Sequence, residues 1–246
     1  MRIKSICKLV FAAAVVLQVS CGGSGGGGGD IAADFAELAL AVCAPDPDPG
    51  RFSADIAHPY WPMTTGSQLV LEGTDDGELI RVEIDVLDET EVVAGVTTRV
   101  VRETEYEDGT LLEISSNFFA QAPDGTLCYY GEDVDIYDED GINVVSNDGA
   151  WRAGEGANEP GILLPGAPTA ETQFYQERAP GIAEDRSAVL EVGVSVTVPT
   201  GTYADSLHVI DWNPLEGDNS GDGEDKYYAN GLGLVQDDAV KLISFN

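Results

Sequence analysis

Alternating apolar and polar residues dominate this 246-residue chain. Residues 79–87 and 189–198 carry Ile, Val or Leu at every second position, with charged or small residues between them. Successive side chains of a β-strand point to opposite faces, so both segments are predicted to be antiparallel strands with one buried face. Weaker patterns predict further strands at about 68–73, 96–106, 111–119, 127–137, 142–146, 172–178, 203–212, 225–229, 232–236 and 239–245.

Asp-Gly pairs separate these predicted strands. They stand at 76–77, 108–109, 124–125, 140–141 and 148–149, and Asp-Gly supplies the positive φ angles of tight hairpin turns. About eleven strands are too many for one flat sheet. The sequence therefore predicts an all-β fold, an antiparallel meander curled into a barrel, a half-barrel or a sandwich. Residues 151–170, rich in Gly, Pro and Ala, are predicted to form a loop that crosses the mouth of the sheet or packs between its halves.

A short N-terminal helix is predicted from an Asp30 cap to about Cys43. Apolar residues at 31, 35, 38 and 42 would form one stripe along it. The prolines at 45, 47 and 49 would end the helix and continue as an extended connector.

The first residues have the features of an export signal. Three basic residues precede an apolar run, Leu9 to Val19, which is too short to span a bilayer. Ser20-Cys21 and a Gly/Ser tract follow. The arrangement resembles the lipobox of bacterial lipoproteins, although Gln18 stands where they usually carry an apolar residue. The resemblance implies an acyl chain such as palmitate on Cys21, and Gly22 after it implies the outer membrane or cell surface. Secretion with cleavage nearby is the alternative.

These features predict the organisation of the whole chain. The predicted segments are a signal peptide at 1–20, a lipidated cysteine and tether at 21–29, a helix and connector at 30–50, and an antiparallel β domain at 51–246.

The charge of the chain is strongly negative, at −32. Removal of residues 1–20 takes away three basic residues and no acidic one, which changes it to −35. Such acidity disfavours nucleic acid as a partner, because a phosphate backbone requires a basic surface. It also disfavours protein contact with anionic lipid headgroups. Cation binding and solubility in a saline habitat are two functional interpretations, and a well-solvated surface is the simpler one.

Two cysteines remain in the predicted mature domain besides Cys21. An exported protein with an even pair is expected to form a disulfide between Cys43 and Cys128, and two buried free thiols are the alternative. No CxxC spacing supports a metal site on these cysteines.

The acidic segment 218–225 is the best candidate for a calcium site. Asp218, Ser220 and Asp222 place side-chain oxygens at the first, third and fifth positions of an EF-hand-like loop, and Glu224 follows. Ala229 occupies the twelfth position, where an EF-hand needs a bidentate Glu. We therefore expect either a looser Ca²⁺ site or a plain acidic hairpin loop.

Large aromatic residues and a histidine are candidates for ligand contacts. They are Trp61, Trp151, Trp212 and His208, and core packing is the alternative role of each tryptophan. No serine stands in a context that indicates a catalytic triad with either histidine. Paired carboxylates could support glycoside hydrolysis, but the sequence does not identify the pair among 44 acidic residues.

Three segments resemble motifs of exported bacterial β-rich lipoproteins. They are Val-Pro-Thr-Gly-Thr-Tyr at 198–203, Tyr-Ala-Asn-Gly-Leu-Gly-Leu-Val at 228–235 and His-Pro-Tyr-Trp-Pro-Met at 58–63. The resemblance implies a shared antiparallel β fold, and it implies no activity and no catalytic residue. The sequence thus predicts a lipid-anchored cell-envelope protein, with a binding or structural role and an unknown ligand. The alternative is a surface or secreted hydrolase that acts on a polysaccharide or another envelope polymer.

Overall fold

The computed structural model describes residues 29–246, and its described residues fold almost entirely as β-strands. The predicted all-β class is confirmed. The strands are β1 (Ala36–Glu37), β2 (Gln68–Asp75), β3 (Glu78–Val93), β4 (Val96–Glu107), β5 (Thr110–Gln121), β6 (Leu127–Tyr137), β7 (Val144–Ser146), β8 (Trp151–Arg152), β9 (Gly161–Leu164), β10 (Thr172–Tyr175), β11 (Arg186–Val198), β12 (Gly201–Trp212), β13 (Glu224–Ala229), β14 (Gly233–Asp237) and β15 (Val240–Phe245). Three 3-10 helices cover Leu40–Val42, Pro49–Arg51 and Pro214–Glu216. Among residues 29–246, no helix is long and apolar enough to cross a membrane.

All fifteen strands belong to one sheet. Its order is β1-β10-β11-β12-β13-β14-β15-β2-β3-β4-β5-β6-β7, with β8 and β9 also paired to β6. Neighbours are antiparallel except β1 and β10, which run parallel. One core cluster takes residues from both halves of this order, for example Ile84 of β3 and Val209 of β12, so the sheet curls around a single interior.

The sheet does not close into a barrel, so the barrel alternative was wrong. The short strands β7, β8 and β9 all pair with the side of β6 that faces away from β5, each along a different part of β6. Glu159 lies just before β9 and Arg178 just after β10. Among the described residues, the isolated β-bridge between these two is the only backbone pairing that joins the two sides of the sheet there. The hydrogen-bonded path therefore stays open although the two sides approach each other.

The predicted helix from Asp30 to Cys43 does not form. Residues 31–34 are turns, and the helical part is the single 3-10 turn Leu40–Val42. The backbone N–H groups of Ala36 and Leu38 donate to Glu171 and Gln173 beside and within β10. The exposed edge of β10 thus supplies the hydrogen bonds that a helix would have made internally, and tertiary pairing overrides the local pattern. The predicted signal peptide, Cys21 and most of the tether lie outside the described residues.

The disulfide between Cys43 and Cys128 is confirmed. Their Cα atoms are 5.6 Å apart and the bond closes a sequence separation of 85 residues. Both cysteines are fully buried, and the carbonyl of Cys43 accepts a hydrogen bond from the Tyr130 hydroxyl. The connector is thereby fixed to the start of β6.

The predicted apolar face of 189–198 holds only in part. Three register shifts interrupt the pairing of β11 with β12. Gly193 has a φ of +75°, and Val192 is 43% exposed. A β-bulge inserts an extra residue and reverses which side chains face inward, so simple alternation fails here while Val196 and Val198 stay buried.

Candidate functional site: the acidic layer inside the sheet

Acidic side chains occupy inward positions at one end of the curled sheet. Glu103 of β4 lies opposite Ile84 of β3 and Ser115 of β5, and directly opposed residues share one face of a sheet. Glu103 therefore points toward the same interior as Ile84. We call the set the acidic layer, and it consists of Glu103, Glu105, Glu113, Glu132, Glu177, Asp185, Asp211, Glu224 and Asp237 together with Lys226.

Burial makes the acidic layer electrostatically unusual. Glu132 and Glu177 have no exposed surface, Asp237 is 1% exposed, and Glu103 is 5% exposed. Charged carboxylates are rarely buried so deeply without compensating cations or hydrogen bonds. The stability of the layer therefore depends on where cations and protons compensate its carboxylates.

Lys226 compensates one half of the acidic layer. Its Nζ lies 2.9 Å from Oδ2 of Asp211 and 3.7 Å from Oδ2 of Asp237. Burial alone would lower the pKa of Lys226, but the attraction of these carboxylates outweighs it and raises the pKa well above the usual value. Burial, with Asp237 as the next cause, raises the pKa of Glu224 to about 8. Lys226 is thus a fixed ammonium group in a carboxylate environment.

The opposite half of the acidic layer contains a carboxyl cluster. Glu132, Glu177 and Asp185 are close electrostatic neighbours, and each carboxyl group affects the pKa of Glu132 or Glu177. Trp151 donates from Nε1 to Oε1 of Glu177 at 3.3 Å. Glu132 and Glu177 form no ion pair with a basic side chain within residues 29–246. Burial without a basic partner favours the protonated form of these carboxyl groups, whereas the other half contains Lys226.

Burial is the first cause of the raised pKa in this cluster. It raises the pKa of Glu132 well above the usual value, and the negative charge of Glu113 adds to the effect. The pKa of Glu177 is raised by burial and then by Asp185 and Glu132. Loss of water disfavours the charged form and nearby like charges disfavour it further.

Glu103 and Glu105 connect the two halves. Oε2 of Glu103 and Oε1 of Glu105 are buried and have no hydrogen-bond partner among the described residues. The electrostatic neighbours of Glu103 include Lys226 and Asp237 on one side and Glu113 on the other. Buried carboxylate oxygens without a donor are costly, so these atoms are available to a proton or to a bound cation.

A bulge in β6 explains why the sequence analysis missed Glu132. Tyr129 lies opposite Phe119 and Glu132 lies opposite Asn117, so one extra residue of β6 fits between these pairs. Gly131, at a φ of +126°, occupies the bulge. Simple alternation would place Tyr129 and Glu132 on opposite faces, whereas the bulge turns both inward. A glycine inside a predicted strand was the available signal for such a change.

The predicted aromatic and histidine ligands do not form one site. Trp61 is 2% exposed and packs against Phe119 and Tyr228 in the core. Trp212 belongs to a separate cluster on the outer face of the sheet. His208 donates or accepts through Nε2 at 2.6 Å from Asp225 and stacks on Tyr227. Trp151 contacts the acidic layer through Glu177.

The predicted calcium loop has other partners for its oxygens. The hydroxyl of Ser220 donates to Asp30 at 2.5 Å and accepts from the N–H of Ala32 at 2.7 Å. Asp222 accepts from the side-chain amide of Asn219 at 2.6 Å. Glu224 belongs to the acidic layer and Asp218 lies in the turn after Pro214–Glu216. Within residues 29–246, no group of three or more His, Cys, Asp or Glu side chains is arranged to hold a metal ion, and calcium binding by this loop stays a prediction.

Comparison with known proteins gives one structural similarity. The sequence matches no protein-family model and no curated protein. Among solved structures, the chain is similar to a "putative lipoprotein" from Parabacteroides distasonis ATCC 8503, with a TM-score of 0.36 and 13% identity. The alignment covers 76% of this chain and 98% of that chain. A similarity at this level does not define a shared function.

Proposed function

We propose that this protein is a lipid-anchored cell-envelope binding protein whose acidic layer binds a positively charged ligand. The anchor is the acylated Cys21 expected from the sequence, at the outer membrane or cell surface. The observation that supports the binding role is the unequal distribution of cations. Lys226 neutralises one half of the acidic layer, and Glu132 and Glu177 in the other half have no basic partner among the described residues.

The physical basis of binding is exchange of a proton for a cation. Burial raises the pKa of both Glu132 and Glu177, so without a nearby cation these carboxyl groups favour their protonated form. A cationic group near Glu132, Glu177 and Glu103 would favour the ionised carboxylates, as Lys226 does for Asp211. Ligand binding therefore releases protons, and the ligand is bound more tightly as the pH rises.

The geometry favours binding over polysaccharide hydrolysis. Glycoside hydrolases separate their two carboxyl groups by about 5 Å or more, so that a sugar carbon or a water molecule fits between them. Glu132 and Glu177 are close neighbours with no exposed surface, so a polysaccharide chain cannot contact them from outside.

Calorimetric titration tests the binding role. Calcium, magnesium and spermidine are titrated separately at matched ionic strength, in two buffers with different ionisation enthalpies. We expect saturable binding of spermidine, with proton release that makes the apparent enthalpy depend on the buffer. Glu177→Gln should weaken binding at least about tenfold, whereas Glu139→Gln removes an exposed carboxylate and should not. Absence of saturable binding, or equal effects of both variants, would refute the proposal.

Membrane fractionation tests the anchor separately. Cys21→Ser should move the protein from the membrane fraction to the soluble fraction, because one acylated residue supplies the attachment. A mature protein with an unmodified N-terminus by mass spectrometry, or a variant that stays with the membrane, would contradict lipidation and leave the binding test unaffected.

A further inference from the structure

Strand β7 presents an unusual apolar edge. It ends the strand order of the sheet, and its outer side pairs with no strand among residues 29–246. Ile142 is 73% exposed, Val144 45% and Val145 63%. Natural sheets usually protect a free edge with charged residues, proline or a covering segment. Val144 and Val145 lie on this edge and Ile142 lies in the turn before it, and exposed branched side chains at a free edge indicate a surface that a partner covers.

The β7 segment is held in a fixed conformation. Oδ1 of Asp138 accepts hydrogen bonds from the N–H groups of Ile142 and Asn143, at 2.9 and 3.2 Å. Asn147 donates to the carbonyl of Val134 at 2.5 Å and fixes the other end. The edge is thus preorganised, which lowers the entropic cost of adding a strand to it.

Acidic residues surround the apolar edge. Glu139 and Asp140 are exposed in the turn before it, and Asp148 is exposed after it. Pairing with a second copy would bring these acids against their equivalents, and like charges across a strand pair are destabilising. Charge complementarity instead favours a partner with basic residues.

We propose that the free edge of β7 binds an extended protein segment with alternating apolar and basic residues. The segment adds a strand to the sheet through its backbone. Its apolar side chains cover Ile142, Val144 and Val145, and its basic side chains approach the surrounding acids. This site is independent of the acidic layer and of the lipid anchor.

Synthetic peptides provide the probe. The ligand is a short peptide of alternating valine and lysine, followed by fluorescence anisotropy. One comparison peptide replaces lysine with glutamate, and another carries N-methyl groups at alternate residues to remove backbone donors without changing the charge. We expect binding of the first peptide alone, with affinity that falls as salt is added.

Two matched variants separate this site from general attraction to an acidic protein. Val145 and Val92 are both 63% exposed, so Val145→Lys and Val92→Lys make the same change of charge at equal exposure. Val145→Lys should weaken binding about tenfold, the change expected when one buried valine contact is lost. Val92→Lys should have little effect. Equal weakening by both variants, or equal binding of the N-methylated peptide, would overturn the proposal.

Discussion

The carboxyl group of Glu103 should make this protein less stable as the pH rises. Glu103 is 5% exposed and its Oε2 has no hydrogen-bond partner among the described residues. Burial first, and then the charges of Glu105 and Glu113, raise its pKa well above the usual value of 4.5. In the unfolded chain the group regains water and ionises near that usual value. The folded state therefore binds a proton that the unfolded state releases.

The sign and size of the effect follow from proton linkage. Below about pH 4.5 both states are protonated and Glu103 has no pH-dependent effect on stability. Above that pH the unfolded state binds fewer protons, so the free energy of unfolding falls by about 1.4 kcal/mol per pH unit for this group. The loss continues at this rate over the pH range in which the folded state keeps the proton of Glu103.

Glu103→Gln removes this titration and keeps the shape of the side chain. The variant should be close to the parent protein in stability at pH 5 and more stable at pH 7. Urea unfolding followed by tryptophan fluorescence at several pH values measures the difference. Glu139→Gln is the control, because it removes an exposed carboxylate and leaves the acidic layer intact. The reasoning is refuted if stability of the parent protein rises from pH 5 to 7, or if Glu103→Gln and the parent lose stability in parallel.

Three further changes test other parts of the fold. Replacement of both Cys43 and Cys128 by Ala should lower the free energy of unfolding by about 4 kcal/mol, because the disulfide closes a separation of 85 residues. Urea titration measures the loss, and a value under about 1 kcal/mol would contradict this prediction. Lys226→Met should destabilise the protein by about 3–5 kcal/mol at neutral pH, since it leaves Asp211 buried beside other acids. An equal loss of stability at pH 4 would argue against the electrostatic cause. Gly131→Ala should cost on the order of 2 kcal/mol or more, because the new methyl would lie 2.2 Å from a backbone oxygen at a φ of +126°. An unchanged melting temperature would contradict the close approach at Gly131.

Local sequence patterns were sufficient to predict most strands. The predicted strand at 127–137 coincides with β6, and the predicted strand at 79–87 lies inside β3. Asp76, Asp108 and their following glycines adopt the positive φ angles expected of tight turns. These features depend on neighbouring residues alone, because side-chain alternation and turn geometry are local properties.

Local patterns failed wherever a distant segment supplied a better interaction. The apolar stripe at 31–42 predicted a helix, but the N–H groups of Ala36 and Leu38 instead donate to carbonyl groups at the edge of β10. The sequence of residues 31–42 contains no information about that distant strand. The barrel expectation failed for a related reason. Closure requires continuous backbone hydrogen bonding between β9 and β10. Whether it forms depends on how the three short strands β7, β8 and β9 pair along one side of β6.

The acidic layer distinguishes what the sequence determines from what the tertiary structure determines. The sequence alone determined the all-β class, the positions of most strands, the excess of acidic residues and the pair of cysteines that form the disulfide. The tertiary structure decided which acids face the interior. A bulge at Gly131 turns Glu132 inward, and the path of the chain after β10 brings Glu177 and Asp185 against it. Alternation fixes the facing of side chains only within an unbroken strand, whereas bulges and long-range pairing determine which strands share an interior.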